Sequence, residues 1–593
     1  MTQYTRLFDC IEPERIGNKE VLLAGKKNKQ YEPLSGPAVI EEVNALANGL
    51  IHLGLQHNPT TETREKVGIV SNSRPEWIIT DLAVQKTGAI LVPLYPNTNL
   101  DEIAYVFNEA GVKYCFVHDK ATYKKLCSIK DQVPSLEYIY TFLEVEDAPN
   151  WASLKRSPDA EAQKVIDQRS EAITEDDVAT IIYTSGTTGK PKGVMLTHKN
   201  IMSNVRTTEE VINGIGVEEK KSLSFLPLNH IFEKTVTYIY LFNQYSIYYA
   251  ESMETIAENL KEVQPSLFVT VPRLLEKVYE KIMNTGSTLT GVKRNLFYWA
   301  VGLGNQYDPQ KRSALYNMKL AVANKIIFNK WRAALGGKVK AIVVGGAACP
   351  PRIARLFSAA QLTIMEGYGL TESSPVIAVN RYEAENRVLG TVGPAIKGVA
   401  LKIAEDGEIL CKGDNVMLGY YKNPEETKNA IVDGWLHTGD IGTLIEGKFL
   451  KITDRKKELF KNSGGKYIAP QPIENKLKES RYIEQIMVLG ANEKYVGALI
   501  VPNFANMQKW MLLNGLEYTS DAEAVKNEAV IKHYKSVVEK HNKDFSAIEQ
   551  VKRFVLLDKE WSVEEGTMTP KLSLKRKIIT EKYQTQIDEI YRR

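Results

Sequence analysis

"YTSGTTGKPKGVMLTH", residues Tyr183 to His198, sets three glycines, five Ser/Thr hydroxyls and two lysines straight after the apolar Val178, Ile181 and Ile182. Glycine lets backbone N–H groups approach an anion closely, hydroxyls donate further hydrogen bonds, and lysine supplies charge, so the stretch reads as a phosphate loop after a buried strand. A solvent-exposed hairpin is the alternative. Two well-known phosphate loops are excluded by spacing. Walker A needs a Gly-Lys pair five residues after its first glycine, yet Pro191 follows Gly186 and Val194 follows Gly189 at that distance. No G-x-G-x-x-G opens a helix after a strand, which removes the usual dinucleotide reading.

The alternation around this loop sets the fold class. "AVIEEVNALANGLIHLGL" (38–55) has helical apolar spacing, "KVGIVSNS" reads as a buried strand, "PEWIITDLAVQKTG" as a helix and "AILVPLYP" as a strand. The rhythm returns at "VKYCFVHD", "SLSFLPL", "SLFVTVP" and "KAIVVGGAA", and predicts an α/β fold with mixed or largely parallel sheets. At 593 residues more than one domain is expected. A lysine-rich insertion at about 285–335 reads as a helical pair. Past Asp440 the strands crowd together, with turns at Glu446-Gly447 and Ser463-Gly464-Gly465. These changes predict a large N-terminal domain over 1–453 and a small α+β domain over 454–593, joined at Asp454 to Lys457.

Composition narrows the function. A hydrophobic content of 43% and a charged content of 25% are those of a water-soluble globular protein, and a net charge of +4 argues against a dedicated nucleic-acid binder. Five scattered cysteines without a CxxC pair suit a reducing cytoplasmic setting. MTQYTRLFDC lacks the pattern of a secretory leader. "TVTYIYLFNQYSIYYA" (235–250) is too short to span a bilayer; Tyr238, Tyr240 and Phe242 read either as core or as the wall of an apolar cavity.

Four segments in order carry a resemblance. The opening loop, "GYGLTESSP" (367–375), "GWLHTGDIG" (434–442) and "ITDRKKELFKNSGGKYIAPQPIEN" (452–475) resemble the motifs of the adenylate-forming enzymes, over roughly residues 35–585. "LPLNHIFEKTVTYIYLF" (226–242) resembles the long-chain fatty acyl-CoA synthetase branch. The resemblance implies ATP-dependent activation of a long-chain fatty acid to an acyl-adenylate, then transfer to coenzyme A, with Mg²⁺ as the metal. It implies that Thr184, Ser185, Gly186, Thr187, Thr188, Gly189 and Lys192 cradle the β- and γ-phosphates. Glu372 would hold Mg²⁺, with Gly369 and Thr371 beside it, and Tyr368 would stack on adenine. Gly345, Gly346 and Ala347 would run beneath the nucleotide, Asp440 would hold the ribose hydroxyls with Arg455 as a second ribose or phosphate contact, and His230 would sit by the acyl carboxylate. Lys457 is expected at a hinge and Lys461 at the site in the second half-reaction. Without its motif, His230 reads as a hydrogen-bonded core histidine and Glu372 as part of a helix cap.

One departure stands out. The family keeps a lysine three residues before a C-terminal arginine. Aligning "EEGTMTPKLSLKRK" on Arg576 puts Ser573 there. In an extended loop residues 571, 573 and 575 share one face, so Lys571 or Lys575 is expected to serve adenylation, Lys575 by preference. The alternative is a solvated basic run. "KLSLKRK" and a lipid-like substrate also point to peripheral membrane contact. Two other functions fit the motifs: a ligase passing its adenylate to a carrier protein or oxygen, and a nucleotide-binding protein without synthetase activity.

Overall fold

The β-branched runs become the inner strands of two sheets. In the computed structural model, which describes residues 4–56, 58, 60–184, 190–562, 564–568 and 574–592, the strands flanking the opening loop lie in a seven-stranded sheet. Its spatial order is Gly419–Tyr420, Lys192–Thr197, Val178–Thr184, Ile90–Leu94, Lys66–Val70, Val112–Val117 and Tyr138–Thr141. Pairing is parallel except along Lys192–Thr197, which runs antiparallel to both neighbours. An eight-stranded sheet runs Val376–Val379, Thr363–Gly369, Ala341–Val344, Leu267–Thr270, Lys221–Ser224, Ser246–Tyr249, Leu23–Lys27 and Gln30–Leu34. Its two end pairs are antiparallel and the interior is parallel. The expected α/β architecture with mixed, largely parallel sheets is the one adopted.

The chain divides into two compact units. The first holds Met1–Lys402, Leu410–Thr438 and Glu446–Leu450; the second holds Ile403–Ile409, Gly439–Ile445 and Lys451–Arg593. Within the second, Val496–Pro502 pairs antiparallel with Ile483–Leu489 and parallel with Val551–Leu556. Ile473, Leu477, Val530 and Tyr534, from helices Pro470–Leu477 and Glu528–Asn542, share a core with Ile486 and Ile500 of this sheet.

Two helices of the first unit are buried nearly all round. Helix α1 (Pro75–Lys86) starts on a proline, whose missing N–H costs nothing at a helix start. It buries every residue from Trp77 to Gln85. Helix α2 (Ile231–Phe242) buries Ile231 and all of Glu233 to Phe242. Both are apolar enough to be core helices, and each carries charge inside: Asp81 on α1, Glu233 and Lys234 on α2.

The lysine-rich stretch is more than the expected helical pair. It folds as α3 (Gly291–Gly304), α4 (Ala314–Ala323), a π-turn over Asn324–Phe328 and a short helix Asn329–Ala334. Pro309, which cannot continue a helix, separates α3 from α4.

Candidate active site

The opening stretch forms the hairpin that a phosphate loop needs at its base. Thr184 and Lys192 face each other across the two strands, so they close the neck of the turn. Ser185, Gly186, Thr187, Thr188 and Gly189 lie outside the described residues. The last two residues of the signature have a different task. Thr197 caps helix His198–Asn213 with Asn200 in a reciprocal box. Buried His198 accepts the Leu7 N–H on Nδ1 at 3.1 Å, and burial pushes its imidazole pKa down to about 3.

Lys192 pairs with Glu426, and its ammonium lies 5.4 Å from the Tyr420 ring centre. Tyr420, on the strand beside Lys192–Thr197, donates from its hydroxyl to Glu372 Oε1 at 2.9 Å. Burial and the Glu372 carboxylate both push the Tyr420 phenol well above its usual range. Glu372 lies in the turn Thr371–Ser373, where the Leu370 N–H bonds Ser373 Oγ at 2.9 Å and the Met417 N–H bonds the Glu372 carbonyl at 2.9 Å. Gly369 is required just upstream: a Cβ there would stand 1.6 Å from the Pro375 carbonyl oxygen. Glu372, Tyr420, Lys192 and Glu426 thus form a row running to the hairpin neck.

The donor set fits Mg²⁺ that takes most of its ligands elsewhere. Among the described residues no group of three or more His, Cys, Asp or Glu could hold a metal. A single hard carboxylate suits an ion that binds through one protein oxygen, substrate phosphates and water.

His230 stands at the start of α2 on a clamped segment. Ser73 Oγ donates to the Leu226 carbonyl at 2.7 Å and accepts from the Leu228 N–H at 2.9 Å. The Trp77 indole N–H donates to Asn229 Oδ1 at 2.9 Å, and Asn229 Nδ2 donates to the Ser71 carbonyl at 3.0 Å. His230 is the N-cap residue: its Nδ1 accepts the Phe232 N–H at 3.1 Å. That bond puts the proton of the neutral ring on Nε2. Phe232 also lies under buried Gly345, where a Cβ would come within 3.1 Å of the ring. Gly346 and Ala347, exposed, continue the loop, and half-buried Tyr368 packs against the main core.

Beyond His230, α2 carries a polar interior. Lys234 pairs with Asp81, which also accepts from Tyr238 Oη at 2.7 Å and Gln85 Nε2 at 2.6 Å. On another face Glu233, Thr237 and Tyr240 stand at i, i+4 and i+7. They meet the sheet where Ser224 donates to Glu233 Oε1 at 2.5 Å. Ser222 and Ser224 share a side of that sheet with Tyr249, and Tyr249 is register partner of Ser224. Burial raises the Glu233 carboxyl to a pKa of about 8. Glu233 Oε2 and the side-chain oxygens of Thr237 and Tyr249 have no hydrogen-bond partner among the described residues. Tyr238 and Tyr240 are therefore buried inside the fold, and the segment's interior is far more polar than "TVTYIYLF" suggests.

The remaining site residues lie in the second unit. Asp440, 7% exposed, faces Arg455 at 3.8 Å between carboxylate and Nε. Lys461 lies over the Tyr467 ring at 4.7 Å. Lys575 caps helix Arg576–Lys582, its N–H bonded to the Thr567 carbonyl at 2.9 Å. Next to it Arg576 is locked by a forked pair to Glu474 at 2.7 and 2.8 Å and by Glu458 at 3.1 Å. Lys571 and Ser573 lie outside the described residues.

Sequence reasoning missed Tyr420, Glu426 and the Asp81–Lys234 pair. The pair had a signal: an acid in "PEWIITDLAVQ" and a lysine in "IFEKTVTYIYLF" interrupt otherwise apolar helices, and such charges need a buried partner. Tyr420 had none, because its contact with Glu372 spans 48 residues.

Comparison with known proteins fits this arrangement. The long-chain-fatty-acid–CoA ligase FadD15 of Mycobacterium tuberculosis is 31% identical over 558 residues, 93% of this chain and 91% of that protein. Human long-chain-fatty-acid–CoA ligase 1 is 31% identical over 613 residues, 97% of this chain and 85% of that one. The adenylation domain of a carboxylate reductase from Mycobacterium chelonae shares the fold, with TM-score 0.75 at 18% identity over 99% and 91% of the two chains. So does the anthranilate CoA ligase AuaEII, with TM-score 0.69 at 17% identity over 98% of each. Residues 13–421 match the AMP-binding enzyme family and 459–593 its C-terminal domain; the chain belongs to that family.

Proposed function

We propose that the protein is an ATP-dependent long-chain fatty acid–CoA ligase of fatty acid and lipid metabolism. The observation that carries this reading is similarity over nearly the whole chain to relatives named for that activity. A fatty carboxylate oxygen attacks the α-phosphorus of ATP, and the bond to the leaving oxygen breaks. Acyl-adenylate and pyrophosphate result. The CoA thiol then attacks the acyl carbon, loses its proton, and AMP leaves. Catalysis of the first step is mainly positioning and charge stabilisation.

The chain's own groups have definite tasks here. Tyr420 fixes the orientation of Glu372, whose carboxylate would hold Mg²⁺; the ion supplies charge neutralisation at the phosphates. Thr184, Lys192 and the hairpin turn bind the β- and γ-phosphates. Gly345 to Ala347 and Tyr368 take the adenine side, and Asp440 with Arg455 the ribose. His230, with its proton on Nε2, donates toward the acyl carboxylate. Lys575, beside the locked Arg576, serves adenylation, with Lys571 as the other candidate. Lys457 acts as the hinge of the C-terminal domain from about 454, and Lys461 serves thioester formation. Relatives named as CoA ligases favour CoA over a carrier protein as acceptor.

Acid-dependent ATP–pyrophosphate exchange across a series of fatty acids tests the reading. Exchange should need Mg²⁺ and rise steeply from acetate to palmitate, since each buried methylene contributes about 0.8 kcal/mol. Equal rates with the two acids would remove the long-chain assignment. Glu372→Ala should abolish exchange while the thermal midpoint stays put. Near-normal exchange in that variant would remove the magnesium assignment.

A further inference from the structure

We infer that α3 and α4 form a docking surface for an anionic lipid bilayer. Charge is the first observation. From Lys281 to Arg355 the chain has 13 Lys and Arg and a single acid, Asp308, giving a local charge of +12 in a protein whose total is only +4. The rest of the chain is therefore net acidic, and within the insertion itself (285–335) eight Lys and Arg stand against Asp308, a charge of +7. Lys293, Arg294, Lys311, Arg312, Lys319 and Lys325 are all exposed. None of them pairs with an acid among the described residues.

Exposed apolar side chains are the second observation. On α3, Val292, Leu296 and Trp299 stand at i, i+4 and i+7, within about 60° of arc. Val292 is 73% exposed and the other two 37%. On α4, Leu315, Met318 and Val322 stand at i, i+3 and i+7, exposed to 60%, 67% and 52%, and Ile326 follows one turn later. The inner faces are already used: Phe297, Ala300 and Val301 of α3 and Leu320 and Ala323 of α4 share a core with Phe328 and Trp331. Val292, Leu315, Met318 and Val322 thus lie mostly outside the packing of this chain, with Leu296 and Trp299 as the partly covered edge of the α3 stripe. Lys319 lies beside the α4 stripe, where a long stem can lie along hydrocarbon and lift its ammonium to the headgroups.

Together these features select the occupant. Apolar side chains rimmed by cations, with acids nearly absent, match a surface that is hydrocarbon beneath and anionic above. A second copy of the chain would bring two strongly positive surfaces together. Nucleic acid would satisfy the lysines and leave Leu315, Met318 and Val322 against phosphate and water.

Cosedimentation of the full chain with vesicles tests the inference. The protein should bind phosphatidylcholine–phosphatidylglycerol vesicles at least about tenfold more tightly than phosphatidylcholine alone, and added salt should reverse this. Met318→Gln with Val322→Gln, and separately Lys319→Glu with Lys325→Glu, should each weaken binding about tenfold. Both double variants should keep the wild-type thermal midpoint and the wild-type exchange rate with a soluble fatty acid. Equal binding to both vesicle types, or full binding by both double variants, would overturn the inference. So would a lipid-free dimer that Met318→Gln with Val322→Gln dissolves, or tighter binding to duplex DNA than to the mixed vesicles. An inactive protein that still shows the vesicle pattern would leave this surface standing and remove the ligase reading alone.

Discussion

Helix α2 and helix α4 invert the ordinary distribution of residues in opposite directions. Helix α2 holds Glu233 and Lys234 at zero exposure, whereas α4 holds Leu315 and Met318 at 60% and 67%. A buried charge is expensive unless paired, and α2 meets that cost inside the molecule: Asp81 faces Lys234, Ser224 bonds Glu233, and burial leaves the Glu233 carboxyl protonated near neutral pH. An exposed leucine costs far less, so the outward residues of α4 need no internal partner. The difference separates two kinds of anomaly. Inverted residues that find partners within the fold hold the fold and position its site, as the pair anchoring α2 does behind His230. Those that find no partner point outward, to something the chain meets.

The comparison can be broken at three places. The largest effect should come from Lys234→Met, which leaves Asp81 buried without its cation and should cost about 3–5 kcal/mol in denaturant unfolding. Adding Asp81→Leu should restore much of that loss. A cost below about 1 kcal/mol for the single variant would mean that the pair does not anchor α2.

A smaller effect, with a definite sign, belongs to Glu233. Its carboxyl titrates near 4.5 when unfolded and at about 8 when folded. Between those values the folded state holds a proton that the unfolded state has released. Stability should therefore fall as pH rises through that window and level off above it. Tenfold in proton affinity corresponds to about 1.4 kcal/mol, so the fall should be on the order of a few kcal/mol. Glu233→Gln should flatten the profile and be the more stable protein at pH above 8. An unchanged slope in that variant would show that Glu233 is ionised in the fold.

The smallest effect sharpens the other side. Val322→Gln on α4 should shift unfolding by no more than about 0.5 kcal/mol, as expected of a side chain with no packing role. A loss above about 2 kcal/mol would show that the stripe packs inside the fold after all.

Local chemistry was enough for much of this molecule. The α/β class was legible because β-branched runs and helical apolar spacing depend on neighbours within a few residues. The four motifs likewise carried the adenylate-forming assignment through residues adjacent in sequence. Tertiary structure alone decided that Tyr420 holds Glu372, that Lys192 meets Glu426, that His198 accepts the Leu7 N–H, and that Asp81 neutralises Lys234 across 153 residues. It also decided which stripe of α4 faces outward. Each of these depends on a hydrogen bond, a charge or an exposed face created only when distant segments pack, and no periodicity within one segment encodes the partner.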